Sequence, residues 1–417
     1  MPADLKKMYR EIAGDHFPAR MELSFVAEDG TRQTLCYEKA GWEIDGELKG
    51  LRYGENPGQE AALFRLVNGN LTLGDVTSLA PGKWLASDAE LLQSGKHPGK
   101  TNITDADSAL SILRYFPDKP TAVIVKHNNP CGVARDASLE TAYAKAYMAD
   151  RVAAFGGCIA LNRPVDKATA EAVAAQYAEV VVAPDYEEGA LPILFRRKNL
   201  RVMAIRNMER LSSYVGAAVV DLKSLMDGGI ITQWSFRPET LSAKDFLPAR
   251  AEHGGKVYET ARKPTGAELA DMLFGWLVET GITSNSVIYV KDECTVGIGT
   301  GEQDRVGVAE IARDKAYRKL CDRISYETLK TPFADLEDRD KRAEIEAAVA
   351  EQKGGLIGST MVSDAFFPFP DGVLVGLREG VRSVVQPGGA MNDHLVIEAV
   401  NRFGAAMVFT GQRCFKH

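Results

Sequence analysis

The pair Lys126-His127 closes a β-branched run, Thr121-Ala-Val-Ile-Val125, and is followed by Asn128-Asn-Pro-Cys-Gly132. Imidazole, with an unperturbed pKa of about 6.5, exchanges protons near neutrality. An adjacent ammonium lowers that value and brings positive charge to a developing oxyanion. Proton acceptor and electrostatic stabiliser therefore stand together at the carboxyl end of a strand, where open α/β sheets bind ligands. The same two residues also suit a structural histidine in an asparagine-rich turn beside a surface lysine. The rest of the chain has to decide.

Pro130-Cys131 invites comparison with the zinc deaminases, which need His-x-Glu and Pro-Cys-x-x-Cys. Here Asn129 and Ala134 occupy the completing positions, so no metal site is expected and Cys131 reads as a lone thiol. Gly297-Ile-Gly-Thr-Gly301 is not a dinucleotide fingerprint, because its third glycine falls one residue early. It reads as a hairpin ending in a tight turn, with Arg305 four residues on as an anion ligand. Arg52-Tyr53 and Arg413-Cys-Phe415 each pair a guanidinium with an aromatic ring, which suits a nucleotide phosphate and base as well as a surface salt bridge beside a core ring. Phe366-Phe-Pro-Phe369, ahead of Asp371-Gly372, reads either as core or as an aromatic loop able to hold a flat heterocycle.

The elements that must position these residues have the alternation of an α/β fold. Helical spacing predicts a helix over Leu139–Met148, and a strand and loop over Phe155–Asn162. Ser286–Lys291 repeats the lysine-ended strand, and Asp364–Phe369 is compared with Asp150–Phe155. The reading is two related α/β subdomains, 1–202 carrying Lys126-His127 and 266–417, joined by an irregular region 203–265. A charged helical insertion runs from about 313 to 352, as a solvated face without chemistry.

The 417 residues are 45% hydrophobic with a formal net charge of −7, enough apolar content for more than one core but no basic field for nucleic acid or an anionic membrane. The 6 scattered cysteines lack disulfide density or a Cys-x-x-Cys pair, so a reducing, cytoplasmic setting is expected. Neither the N-terminal stretch nor any apolar run suggests export or membrane insertion.

Taken in order, Leu51-Arg-Tyr-Gly-Glu-Asn-Pro57, Lys126–Gly132, Ala154-Phe-Gly-Gly157, Ser284-Asn-Ser286, Gly297–Arg305, Ser363–Phe369, Gln386-Pro-Gly-Gly389 and Phe409–Arg413 resemble the motifs of a known family. It is the formyltransferase domain of the bifunctional purine-biosynthesis enzyme, in which 5-aminoimidazole-4-carboxamide ribonucleotide (AICAR) transformylase is fused to IMP cyclohydrolase. The resemblance implies two cytidine-deaminase-like α/β/α subdomains without zinc, and formyl transfer from 10-formyltetrahydrofolate to the 5-amino group of AICAR. It further implies a homodimer with shared active sites, and it allows a structural monovalent cation. By motif position it makes Lys126, His127 and Asn285 catalytic. It gives Arg52, Tyr53, Gly156, Glu179, Asn285, Phe366, Arg413 and Phe415 to AICAR, and Phe155, Arg305, Asp371, Ala390 and Met391 to folate.

The chain departs from the family pattern at Gly58, at Pro370 and at Gly99-Lys-Thr-Asn102, where altered affinity or loop geometry is expected. The cyclohydrolase region is not present, so a separate IMP cyclohydrolase is expected to close the ring. Two other readings remain beside this one: a zinc-dependent nucleoside or nucleotide deaminase, and a non-catalytic binder of AICAR or folate.

Overall fold

The structure is a computed structural model that describes residues 8–9, 11–12 and 14–417. Part of the N-terminal stretch inspected for a leader therefore lies outside the described residues. Two compact units each combine two segments of chain: Met1–Asp118 with Gly156–Arg237, and Lys119–Phe155 with Pro238–His417. These units interleave in sequence, whereas motif order divides the chain into contiguous pieces.

In the first unit, strands Cys158–Leu161, Val180–Ala183 and Arg201–Ala204 pair in parallel, with Glu90–Gln93 antiparallel at the edge. Every residue of the three parallel strands is buried, which is why they read as unbroken apolar runs. Helices Lys167–Ala174 and Ala190–Leu194 make the crossovers between them, the first capped by Asp166 on the Thr169 amide at 2.7 Å. Strands Arg20–Val26, Arg32–Ala40 and Leu63–Asn68 form a separate antiparallel sheet.

In the second unit the strand order is Leu247–Pro248, Ala406–Phe409, Ser383–Gln386, Thr360–Ser363, Val287–Lys291, Cys294–Gly299, Asn129–Arg135 and Thr121–Lys126. The last four form two hairpins that meet where Ala134 pairs antiparallel with Cys294. Both hairpins turn on two residues at positive φ: His127 (55°) and Asn128 (62°) in one, Asp292 (53°) and Glu293 (52°) in the other. That is a type I′ reversal, which matches the twist of paired strands and which Asn, Asp and His tolerate better than most residues.

The succession of elements occurs twice. Helix Lys100–Leu113, a hairpin whose first strand ends in Lys126 and helix Leu139–Ala149 precede three strands alternating with helices. Helix Gly266–Glu279, a hairpin whose first strand ends in Lys291 and helix Arg305–Leu329 precede three more, the helices between them being Pro370–Arg378 and Asp393–Arg402. Glycines on the second hairpin strands let the helices sit close. A Cβ at Gly132 would lie 1.9 Å from the Ala146 carbonyl oxygen, and one at Gly297 would lie 2.3 Å from that of Ala312.

Several local expectations need correcting. The turn after Lys126 ends at Asn128, and Asn129–Arg135 is a strand that tolerates Pro130 at a register irregularity between Pro130 and Gly132. Asp364 follows its strand, Thr360–Ser363, whereas Asp150 precedes Cys158–Leu161, so the two segments are not equivalent in the repeat. The charged insertion begins at Arg305, and Lys330 (φ 55°) and Pro332 interrupt it before helix Arg339–Glu351 resumes. Asp371-Gly372 is not loop but the first turn of helix Pro370–Arg378, which Pro370 starts because its missing N–H costs nothing there. The region 203–265 contains hairpins Val220–Ser224/Ile230–Trp234 and Arg250–His253/Lys256–Glu259. Among the described residues no helix is long and apolar enough to cross a membrane.

Candidate active site

In the second unit, the tight reversal puts Lys126 and His127 at the tip of their hairpin, where Lys126 Nζ donates to the Phe155 carbonyl at 2.9 Å. They line a cavity of about 370 Å³ that continues past Cys131 and Thr300 to Lys315 and Lys319 on helix Arg305–Leu329. Lys319 pairs with Asp150 at 2.7 Å, and Asp150 also caps the short helix Arg151–Ala154 through the Ala153 amide. Lys315 has no hydrogen bond or ion pair among the described residues, and burial lowers its pKa.

Asn129 fixes the hairpin to a neighbouring segment. Its Oδ1 accepts from the Thr283 amide at 2.9 Å and from Thr300 Oγ1 at 3.2 Å. The next residues, Ser284-Asn285-Ser286, are held from beneath by Asp364, which accepts from Ser284 Oγ and, at 3.1 Å, from the Ser286 amide. Arg305 binds Asp364, the Ser286 carbonyl at 3.0 Å and Asn285 Oδ1 at 3.1 Å, while Asn285 Nδ2 donates to the Gln303 carbonyl at 2.9 Å. Asn285 is thereby gripped at both ends of its amide. Arg305, whose side chain is 9% exposed, is turned inward.

The C-terminal residues dock on this frame. Ser284 N donates to the Lys416 carbonyl at 2.9 Å and Cys414 N to the Asp364 carbonyl at 3.0 Å. Lys416 Nζ reaches the carbonyls of Gly281 (2.8 Å) and Asn128 (3.4 Å), the latter in the hairpin turn. Arg413 stacks on Phe415 with its guanidinium carbon 4.6 Å from the ring centre.

The aromatic loop divides its rings. Phe367 is fully buried and its amide donates to Gln386 Oε1 at 2.8 Å, whereas Phe366 and Phe369 are exposed. Three rings are therefore not free for a ligand. Asp393 folds the loop carrying Ala390 and Met391 by accepting from the Gly389 (2.7 Å) and Ala390 (3.0 Å) amides, and Asn392 ties it to the Pro368 carbonyl at 3.0 Å. Asp371 is exposed, and Met391 is almost fully so.

The first unit holds the remaining candidates. Arg52 lies 4.5 Å over the Tyr53 ring and donates to its hydroxyl at 2.9 Å. Gly156 (φ 77°) donates to the Tyr177 carbonyl at 2.9 Å, and Glu179 N donates to the Gly157 carbonyl at 3.1 Å. Glu179 Oε2 accepts from Asn102 at 3.1 Å and from the buried Arg201 at 3.3 Å. Burial pushes the Arg201 pKa down to about 10 although Glu179 opposes the shift, so the guanidinium stays charged at neutral pH. Asn129, Asp364, Asn102 and Arg201 were all missed by sequence reasoning. Asn129, Asp364 and Asn102 stood inside named motifs without being given a role, and Arg201 stood in none; each acts on a residue distant in sequence, and nothing local marks that.

The sequence model of the family described as AICARFT/IMPCHase bienzyme matches residues 25–315. The chain belongs to the AICARFT/IMPCHase family. Within that family it is similar to the bifunctional purine biosynthesis protein PurH of Dinoroseobacter shibae, 37% identical over 96% of this chain and 68% of that protein. The corresponding protein of Magnetococcus marinus is 38% identical over 89% of this chain and 60% of its own length. That of Caldicellulosiruptor bescii is 34% identical, over 89% and 59% respectively. The chain thus spans roughly three fifths to two thirds of the length of these AICARFT/IMPCHase relatives.

Proposed function

We propose that the chain transfers the formyl group of 10-formyltetrahydrofolate to the 5-amino group of AICAR, giving formyl-AICAR and tetrahydrofolate in purine biosynthesis. The observation that carries this is the Lys126-His127 hairpin tip lining a cavity, tied through Asn129 to the segment that holds Asn285. The AICAR amine is a poor nucleophile, its lone pair being delocalised into the imidazole. His127 accepts its proton as the nitrogen attacks the formyl carbon. Lys126 stabilises the oxyanion and donates a proton to N10 as the C–N10 bond breaks. Asn285 orients the carboxamide or the formyl oxygen.

Arg52, Tyr53, Gly156, Glu179, Phe366, Arg413 and Phe415 serve the nucleotide in this reading; Phe155, Arg305, Asp371, Ala390 and Met391 serve the folate. The inward turn of Arg305 suits a supporting part through Asn285. The doubled succession of elements supports cytidine-deaminase-like subdomains, with 1–202 and 266–417 as functional modules around 203–265. A homodimer with shared sites and a cytoplasmic setting, which the free thiols suit, belong to the same proposal. The deaminase alternative asks for a zinc donor set, and among the described residues no group of three or more His, Cys, Asp or Glu is placed to form one.

The test is spectrophotometric: tetrahydrofolate release from AICAR and 10-formyltetrahydrofolate. No release with both substrates saturating overturns the proposal.

A further inference from the structure

In the first unit Glu179 bonds Arg201, whose charge it favours and nearby Arg52 opposes. Arg52 is 7% exposed and Arg201 is 1% exposed, and the charge of each disfavours the other. Arg201 opens strand Arg201–Ala204, and its own amide bonds the Glu179 carbonyl at 3.0 Å, so its guanidinium is set beneath the Glu179 side chain by the backbone register. Asn102 is equally fixed. It is the third residue of helix Lys100–Leu113, where its Oδ1 accepts from the Gly99 amide at 3.1 Å and its Nδ2 is left to point at Glu179.

Both donors converge on the same carboxylate oxygen, Oε2, from beneath. The other oxygen, Oε1, has no donor among the described residues, and the Glu179 side chain is 39% exposed. A carboxylate pinned in this way offers one directed acceptor to a ligand. Arg201, with Arg52 nearby, disfavours a cationic ligand. Neutral donors on a molecule that is itself anionic suit the charge balance best, and the adjacent hydroxyls of a ribose 5′-phosphate have that character.

We propose that Arg201 and Asn102 are positioning residues that lock the Glu179 carboxylate so that Oε1 reads the ribose hydroxyls of the nucleotide substrate. This rests on the reading of the substrate as AICAR. It adds the means by which ribose is told from deoxyribose. A hydrogen bond from a neutral donor to a charged acceptor contributes about 1.5–3 kcal/mol, so loss of one hydroxyl costs roughly 10- to 150-fold in affinity.

The experiment measures calorimetric Kd values for AICAR and its 2′-deoxyribose counterpart, with steady-state KM and kcat alongside. The proteins are wild type, Arg201→Gln, Asn102→Asp, Glu179→Gln and the double variants that combine Glu179→Gln with each of the others. Wild type should prefer the ribonucleotide at least tenfold. Arg201→Gln should reduce that preference to near one, with the loss falling on Kd and KM rather than kcat. Asn102→Asp keeps the acceptor for the Gly99 amide but sets a carboxylate against Oε2; it should act in the same direction, and it decides the matter if Arg201→Gln does not fold. Adding Glu179→Gln to either variant should cost nothing further.

Retained ribose preference in Asn102→Asp, or losses that add to that of Glu179→Gln, would overturn the role. The binding readout does not need turnover. Ribonucleotide preference without formyl transfer would sink the proposed reaction and leave the positioning intact. Formyl transfer without any ribose preference would do the reverse.

Discussion

The Arg305 guanidinium donates to Asn285 Oδ1 at 3.1 Å, so a residue assigned to folate by motif orients one assigned to the chemistry. The same guanidinium neutralises Asp364, whose side chain is 0% exposed. Removing one partner of a buried ion pair strands the other, typically at a cost of about 3–5 kcal/mol. Arg305→Met should therefore lower unfolding stability by that order in denaturant titration and reduce kcat as well. A variant as stable as wild type would mean that the Arg305–Asp364 pair does not support the fold.

His127 sits at φ 55°, where alanine is strained but asparagine is at ease. His127→Asn is consequently the cleaner probe of chemistry, since it keeps the turn. Turnover should fall by roughly 10²- to 10⁴-fold with nucleotide affinity little changed. If only KM rose, His127 would be a binding residue.

Lys126→Arg keeps the charge but offers a planar group that does not give up a proton near neutrality. It should recover only part of the turnover lost in Lys126→Ala. Full activity in the arginine variant would remove proton donation from the role of Lys126.

Lys315, on the cavity wall, has no hydrogen bond or ion pair among the described residues, and burial lowers its pKa from 10.5. Between that lowered value and the unfolded one, the unfolded chain binds more protons. Stability contributed by this group therefore rises as pH rises through the window, and at lower pH the buried charge costs its full penalty. Lys315→Met should raise the melting temperature near pH 7 and flatten the pH dependence on the alkaline side. An unchanged profile in paired thermal scans would show that an anion or water already compensates the ammonium.

Glycine substitutions separate close packing from backbone freedom. A Cβ at Gly132 would collide with the Ala146 carbonyl oxygen at 1.9 Å, whereas one at Gly266, at the start of helix Gly266–Glu279, meets nothing within 4 Å. Gly132→Ala should destabilise by at least about 1–3 kcal/mol, or block folding. Gly266→Ala should stabilise by about 0.4–1 kcal/mol. Comparable melting temperatures for the two would contradict the close helix approach.

The parts of this molecule that were legible in sequence are those with a local cause. The β-branched stretch before Lys126 announced a strand, and the spacing of Ala142, Tyr143, Ala146 and Tyr147 announced a helix. Turn boundaries were harder. Asn129-Pro130 has the composition of a loop, yet strand pairing with Val125 and Lys126 overrides it. Phe366, Phe367 and Phe369 have one chemistry and two fates, because only tertiary contact distinguishes the ring that enters the core. Long-range props such as Arg201 beneath Glu179 were invisible, since an arginine at a strand's first residue carries no mark of the carboxylate it will face.

The interleaving of the two units bears on any attempt to work with pieces of the protein. Residues 238–417 expressed alone would lack strand Asn129–Arg135, which pairs with Cys294–Gly299 in the intact second unit. That would leave an unpaired sheet edge of the kind that templates aggregation. An autonomous fragment would need residues 119–155 reconnected to 238–417 by an engineered linker. A conventional truncation between the halves would sever the hairpin bearing Lys126 and His127 from the frame that holds Asn285.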